Sequence, residues 1–328
     1  MAEVGFKGKT YVCDRGQSLL DSLQAQGAVV PSGCRSGVCQ SCLMRVVEGQ
    51  VPSDAQQGLS PIKKEQGFFL ACRCRPEQDM KVALPDMEGL TRRARVIDKH
   101  PLNREVLALR LQSEEPLTYR AGQYLRLYRP DGLSRCYSLA SVPSLEDTLE
   151  LHVRKIPGGQ LSGWVHDELT AGTEVRVGEP TGECVYGAVR PDQPLILLGT
   201  GSGLAPLYGI VRDALEQHHA GDVWLYHGSY AVEGLYYQRE LQRLAERHAN
   251  FHYVPCVDQE TEASRALAAR TMMALDAVMV DHGSFGGYRI YLCGHPAMVE
   301  AARLKVFLGG ASMGDILADP FLPSGATQ

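Results

Sequence analysis

Long hydrophobic runs are missing from this 328-residue sequence. None approaches the roughly 18 to 20 apolar residues that a membrane-spanning helix needs, so no membrane span is expected. A positively charged leader followed by an apolar stretch is missing too. Residues 1–11 show neither feature, which argues against a secretory signal and for a cytoplasmic protein. Nor is there a basic excess. With 33 Lys and Arg against 38 Asp and Glu the net charge is −5, which removes the broad basic surface of a nucleic-acid binder. Low-complexity tracts and internal repeats are absent. Cysteine, by contrast, is plentiful. Ten cysteines are many for a compartment that disfavours disulfides, so their spacing needs another explanation.

The length allows two or three domains, each with its own core. Residues 1–90 open with short alternating stretches, then a helical patch at 18–26, a Pro-, Gly- and Cys-rich loop, and strands at 43–47 and 81–84. Pro85-Asp86 and Thr91-Arg92-Arg93 read as a linker. Over 91–191 the pattern is period-two alternation, at 94–97, 106–111, 124–127, 149–153 and 174–177, with one short helix candidate at 162–168. Strands at turn-bounded intervals predict a small antiparallel β-barrel. Over 192–328 strands at 195–198, 223–227, 251–254 and 289–292 alternate with helices at 205–217, 235–248 and 296–307. That rhythm predicts a Rossmann-like parallel sheet covered on both faces.

From Gly33 the sequence reads GCRSGVCQSC, and Cys72 follows Cys42 after 29 intervening residues. Cys34, Cys39, Cys42 and Cys72 therefore have the C-x4-C-x2-C spacing, with one distant cysteine, of a plant-type 2Fe-2S site. Iron wants tetrahedral sulfur, and a tight loop supplies three thiolates while a fourth arrives from elsewhere in the fold. Zinc or unliganded buried cysteines are the alternatives, but zinc sites usually pair two C-x2-C units, which are absent here. Cys74, two residues past Cys72, competes for the fourth position. The Leu70-Ala71-Cys72 context resembles plant-type ferredoxins and favours Cys72. Gln40 departs from the Gly or Ser that this family usually has at that place.

Arg135-Cys136-Tyr137-Ser138 matches the R-x-Y-[ST] pattern of the ferredoxin-NADP reductase superfamily, with Ala121-Gly122-Gln123-Tyr124 before it and Gly159-Gln160-Leu161-Ser162 after it, in family order. A guanidinium suits a flavin phosphate, a tyrosine packs along the isoalloxazine, and a hydroxyl can hydrogen-bond N5. The segment Gly159, Gln160, Leu161 and Ser162 sits where a helix would begin and suits the FAD pyrophosphate. The resemblance further implies that the backbone of His152, Val153 and Arg154 borders the flavin.

Gly199-Thr200-Gly201-Ser202-Gly203 follows an apolar strand and opens a helix, the setting a dinucleotide pyrophosphate requires. Cys293-Gly294-His295-Pro296 matches the superfamily's C-G-x-P. The resemblance places Cys293 where nicotinamide meets flavin N5, with Gly294 and Pro296 beside it. Tyr230 stands where relatives often carry an arginine for a 2′-phosphate, which favours NADH, with NADPH as the alternative. The ending Ala318-Asp319-Pro320-Phe321 resembles oxygenase reductases in which a terminal aromatic lies near the flavin, making Phe321 a candidate. Cys13, Cys136, Cys184 and Cys256 read as small core residues, and His218-His219 as a solvated helix end.

Over nearly its whole length the sequence resembles the iron-sulfur flavoprotein reductases of multicomponent oxygenases. The resemblance implies a β-grasp ferredoxin-like domain at 1–90, an FAD barrel at 91–191 and an NAD(P)-binding α/β domain at 192–328. It implies that Ser138 and Cys293 serve hydride transfer from NADH to FAD, with electrons leaving singly through the cluster to a protein acceptor. An oxygenase component is the expected acceptor. A deoxysugar-biosynthesis dehydratase, or a non-enzymatic ferredoxin-type carrier, are the alternatives.

Overall fold

The computed structural model describes residues 1–38, 40–59, 61–85, 91–187 and 190–321. Cys39 and Asp86 lie outside the described residues. The chain forms two compact units: Met1–Thr91 with Tyr128–Cys136, and Arg92–Leu127 with Tyr137–Phe321.

In the first unit, β1 (Ala2–Phe6) and β2 (Lys9–Cys13) form an antiparallel hairpin, followed by α1 (Leu19–Ala25). Then come β3 (Leu43–Glu48), α2 (Pro61–Glu65), β4 (Phe68–Leu70) and β5 (Met80–Ala83). The sheet order is β2-β1-β5-β3-β4, with β1 and β5 parallel, the β-grasp arrangement. Ser18 caps α1 by accepting the Asp21 amide, and Leu19, Leu20 and Leu23 turn inward against Phe6, Met44 and Phe69. Those apolar contacts form a core on one side of the sheet, and the cysteine loop runs between α1 and β3.

The barrel strands are β6 (Thr91–Pro101), β7 (Val106–Ser113), β8 (Tyr124–Tyr128), β9 (Ser134–Ser138) and β10 (Leu149–Arg154), then α3 (Gln160–Asp167) and β11 (Glu174–Gly178). Their order is β10-β7-β6-β11-β8-β9. A bridge from Leu139 to Leu151 joins the two outer strands and closes the barrel. Residues 91–93 are the start of β6 rather than linker. Arg92 binds Glu115 at 2.6 Å and Glu179 at 2.9 Å, and these partners hold a charged segment in strand.

The remaining elements are β12 (Leu195–Thr200), α4 (Leu204–Glu216), β13 (Val223–Ser229), α5 (Gln238–Arg247), β14 (Phe251–Val257), α6 (Glu262–Ala266), β15 (Arg270–Thr271), α7 (Ala274–Asp281), β16 (Arg289–Gly294), α8 (Pro296–Leu308) and β17 (Ile316–Pro320). The sheet is parallel throughout, in the order β15-β14-β13-β12-β16-β17. The expected helix over 235–248 begins only at Gln238, because Tyr237 sits in the left-handed region at φ 55° and breaks the preceding turn. His219 departs from its expected solvation. It is buried, with Nε2 against the Gln193 carbonyl at 2.9 Å and Nδ1 against the Tyr186 hydroxyl at 3.1 Å.

His227 on β13 is fully buried, and among the described residues neither ring nitrogen makes a hydrogen bond of ordinary geometry. Burial pushes its pKa down to about 3, so the ring is neutral. An unpaired buried polar atom costs about 1–3 kcal/mol. His227→Phe should therefore be neutral or stabilising in denaturant unfolding, and a loss above about 2 kcal/mol would show that the nitrogens are satisfied in solution.

Candidate functional site: a nicotinamide–flavin crevice and a cysteine loop

Strand order reverses between β12 and β16, and ligands of open α/β sheets bind at such a switch point, beyond the carboxyl ends of the strands. The register sets Gly199 beside Cys293, so the two glycine-containing loops emerge side by side. Thr200 ties them, its Oγ1 accepting the His295 amide at 3.4 Å. Their glycines have separate jobs. A Cβ on Gly203 would lie 2.3 Å from the Cys293 carbonyl, so that position demands close packing. A Cβ on Gly201, at φ 54°, would meet nothing within 4 Å, so its backbone is open to an approaching group. Pro296 opens α8 at its first turn, and Phe321 donates its amide to the Gly294 carbonyl at 2.8 Å. The residues present fit a dinucleotide pyrophosphate.

Ser138 ends β9 and is buried; its hydroxyl donates to Asp319 Oδ2 at 3.4 Å. Asp319 pairs with Cys293 across β16 and β17, so barrel and sheet meet here. Burial raises the Asp319 carboxyl to about 6, with the Ser138 hydrogen bond opposing. Cys293 is fully buried with its sulfur 3.6 Å from that of Cys184. Burial first, then Cys184, pushes the Cys293 thiol well above its usual range. Asp319 was not among the expected site residues. Its clue was the Ala-Asp-Pro-Phe ending, in which the aromatic drew the attention.

The other flavin candidates are spread along the barrel. Arg135 and Tyr137 lie half-buried on β9, and Arg135 Nη1 donates to the Ser134 carbonyl at 2.7 Å. Gly159 precedes α3, and no side chain caps that helix, so its N-terminal end suits a phosphate. The Ser162 hydroxyl is engaged locally, accepting the Ile156 amide at 3.1 Å, and Gln160 and Leu161 open α3 beside it. On the outer strand β10, the Val153 carbonyl accepts from His166 at 2.8 Å and Arg154 binds Glu105 at 2.9 Å.

His152 anchors a buried network that sequence reading did not find. Its Nε2 lies 3.0 Å from Glu150 Oε1 and its Nδ1 3.1 Å from the Tyr236 hydroxyl. Glu150 also takes the Tyr237 hydroxyl at 2.6 Å and Arg110 Nε at 3.1 Å. Burial alone would raise Glu150, but hydrogen bonds from His152, Tyr237 and Arg110 hold it down at about 2. Burial pushes the His152 pKa down, with Glu150 opposing. The network joins barrel residues to the segment ahead of α5 and so fixes the approach of the flavin-side and nicotinamide-side elements.

In the cysteine loop the Cys72 amide donates to Cys42 Sγ and the Ser36 amide to Cys34 Sγ, both at 3.4 Å. Amide hydrogen bonds to sulfur are what an iron-sulfur cluster requires of its surroundings. The Cys72 thiol and burial push the Cys42 thiol far up, and Cys34 adds to it. Among the described residues no three His, Cys, Asp or Glu side chains lie close enough to hold a single metal ion. Cys74 is fully buried elsewhere: burial raises it to about 12, with Cys13 adding. Gln40 adopts φ 54°, the left-handed conformation that a glycine would take at no cost. Lys63 Nζ steadies it by donating to Gln40 Oε1 at 3.0 Å.

Three family models match in succession: a 2Fe-2S iron-sulfur cluster binding domain over 3–77, an oxidoreductase FAD-binding domain over 93–186 and an oxidoreductase NAD-binding domain over 197–304. The reductase subunit of an aromatic O-demethylase from Amycolatopsis is 36% identical, with 93% of each chain covered. The chain belongs to the iron-sulfur flavoprotein reductases of oxygenase systems. It is also similar to the reductase component of the naphthalene 1,2-dioxygenase system of Pseudomonas putida, 32% identical over 94% of this chain and 95% of the relative. The crystal structure of the Amycolatopsis cytochrome P450 reductase GcoB superimposes with a TM-score of 0.69, at 33% identity, covering 98% of this chain and 99% of the other. The reductase is an NAD(P)H-dependent oxidoreductase whose cofactors are a 2Fe-2S cluster, FAD and NADH. Among its described residues no helix is long and apolar enough to cross a membrane.

Proposed function

We propose that this reductase is a cytoplasmic protein that oxidises NADH and delivers single electrons to the terminal component of an oxygenase. The reading rests first on the meeting of Ser138, from the barrel, with Asp319 and Cys293, from neighbouring strands of the α/β sheet. A flavin-side hydroxyl and a nicotinamide-side thiol belong together only where hydride passes between two rings. Bound together, the three groups supply hydride intake and one-electron output.

Each part of the chain has its task in this reading. Cys34, Cys39, Cys42 and Cys72 hold the cluster. Arg135 and the start of α3 (Gly159, Gln160, Leu161 and Ser162) hold the FAD phosphates, Tyr137 packs on the isoalloxazine, and the backbone of His152, Val153 and Arg154 borders it. Gly199, Thr200, Gly201 and Gly203 receive the NADH pyrophosphate, and Gly294 and Pro296 shape the nicotinamide end. Phe321, tied to Gly294 through its amide, lies near the flavin. The absence of a basic residue at Tyr230, whose hydroxyl instead accepts from Gln259 at 2.7 Å, supports NADH over NADPH. Domain limits of 1–90, 91–191 and 192–328 suit these tasks.

Purified protein should be brown, with about two irons and one FAD per chain, and should reduce cytochrome c with NADH. Preparations with FAD but no iron would remove the cluster from the scheme. Iron without NADH-driven reduction would leave only a carrier.

A further inference from the structure

A buried imidazole stands behind the glycine loop. His227 lies opposite Gly199 in the register of β13 with β12, one strand away from the turn through Gly199, Gly201 and Gly203. It shares a sheet face with Leu225, which packs in one core with Leu204 and Leu207 at the start of α4. The end of β13 is pressed close to the turn: a Cβ on Gly228, opposite Thr200, would lie 3.1 Å from Thr200 Cγ2. Tyr236 closes one side of the imidazole, its ring edge-on at 5.5 Å and 82°, and the Tyr236 hydroxyl is engaged with His152 at 3.1 Å. The backbone of Gly201 meets the imidazole too. It draws the His227 pKa upward against burial, which an acceptor does and a donor does not, so the Gly201 carbonyl faces the ring. Packing alone does not call for an imidazole here, because a hydrocarbon side chain would fill the space without burying polar atoms.

The direction of the Gly201 carbonyl decides what the loop offers a ligand. Across a trans peptide the carbonyl and the next amide point opposite ways, so a carbonyl held toward β13 turns the Ser202 N–H away from the core. Gly201, at φ 54°, is poorly suited to hold that direction alone, because a glycine backbone rotates with little restraint. One lone pair of its carbonyl takes the Leu204 amide at the start of α4. A carbonyl has a second lone pair, and His227 stands beside it.

We propose that His227 is a positioning residue for the dinucleotide, its ring N–H holding the Gly201 carbonyl so that the Ser202 amide is aimed at the pyrophosphate. The proposal rests on the reading of the glycine loop as the pyrophosphate site. Hydrogen bonds in series polarise one another, so a phosphate drawing on the Ser202 N–H makes the Gly201 carbonyl a better acceptor for the imidazole. The effect falls on affinity, because the phosphates are bound before and during hydride transfer alike. Removing the N–H should therefore leave folding intact and weaken binding, a split that a packing role does not produce.

Pairs of near-equal shape separate the N–H from packing. His227→Asn and His227→Gln keep an amide N–H at about the reach of Nδ1 and Nε2, and His227→Leu and His227→Met match their shapes without it. Calorimetry on the holoprotein with ADP-ribose, which has the pyrophosphate and no nicotinamide, reads binding; NADH-driven flavin bleaching gives KM and the limiting rate. The Leu and Met variants should bind ADP-ribose and NADH about tenfold more weakly, with a limiting rate within about twofold of the parent. The better of the two amides should recover most of the loss. Parental binding in the apolar variants, amides no better than their apolar twins, or a loss confined to the limiting rate would each overturn the proposal. Should the apolar variants fail to fold, the parent still decides: in holoprotein labelled with 15N-histidine, ADP-ribose should move a non-titrating ring N–H signal downfield, and unmoved ring signals would overturn the proposal. A parent protein that binds neither ADP-ribose nor NADH would instead overturn the dinucleotide reading on which the proposal stands.

Discussion

Cys72→Ser should yield a colourless first unit without iron, whereas Cys74→Ala should keep both irons. The two residues lie two positions apart in sequence, with Arg73 between them, yet the fold sends them different ways. Cys72 follows the end of β4, and its amide donates to Cys42 Sγ. Cys74 turns into the core behind α1, where its carbonyl accepts the Leu19 amide at 2.7 Å and its thiol faces Cys13. Truncating Cys74 removes one buried atom and should cost about 1 kcal/mol, the scale of a one-group deletion in a core. Losing Cys72 removes a ligand and with it the binding free energy that the cluster lends to folding, by the same linkage that holds for structural metals. Iron content, visible absorbance and the low-temperature paramagnetic signal of the reduced protein report the outcome, with FAD content as the internal control. Iron kept by Cys72→Ser and lost by Cys74→Ala would exchange the two assignments.

The division between what was legible and what was not follows the range of the forces involved. The glycine loop at 199–203 and the apolar strand at 195–198 are local signals, and both turned up where short-range geometry requires them. Period-two alternation gave the barrel strands, but their closure through Leu139 and Leu151 depends on contacts between segments distant in sequence. The same is true of the Glu150 network. Nothing adjacent to His152 indicates that Tyr236, 84 positions later, will satisfy its Nδ1. The start of α5 was placed too early because an amphipathic pattern continues through Tyr236 and Tyr237 while the backbone does not. Arg92 and Arg93 looked like a linker because their partners, Glu115, Glu179 and Glu174, come from segments distant in sequence. Asp319 was overlooked for a related reason: a carboxylate near a chain end is usually solvated, and only the pairing of β17 with β16 buries it.

That burial gives the second large prediction. NADH-driven flavin reduction should show a pH inflection near 6 that disappears in Asp319→Asn. The groups around this carboxyl are the Ser138 hydroxyl on β9 and the Cys293 thiol on β16, with Cys184 behind the latter. Burial and Cys184 push the Cys293 thiol well above its usual range, so the Asp319 proton is the one that changes as pH crosses 6. Above that pH the carboxylate accepts from Ser138 and fixes the direction of its hydroxyl; below it the protonated acid can donate instead, and the serine is free to turn. Ser138→Ala removes the hydroxyl from the reacting face and should slow the step on the order of 10²-fold, within the range for a positioned donor. Because the Ser138 hydrogen bond lowers the Asp319 pKa, the same substitution should move the remaining inflection upward. The sign extends to stability. A carboxyl raised above its unfolded value favours folding in its protonated form, so this contribution is full below about 4 and is lost as pH rises through about 6. Asp319→Asn, which keeps the shape and cannot ionise, should therefore be relatively more stable than the parent at pH 8 than at pH 4. Stopped-flow bleaching of the flavin and thermal unfolding across that range measure the two effects separately. A pH profile left unchanged by Asp319→Asn would take Asp319 out of the hydride-transfer site, whatever its effect on stability.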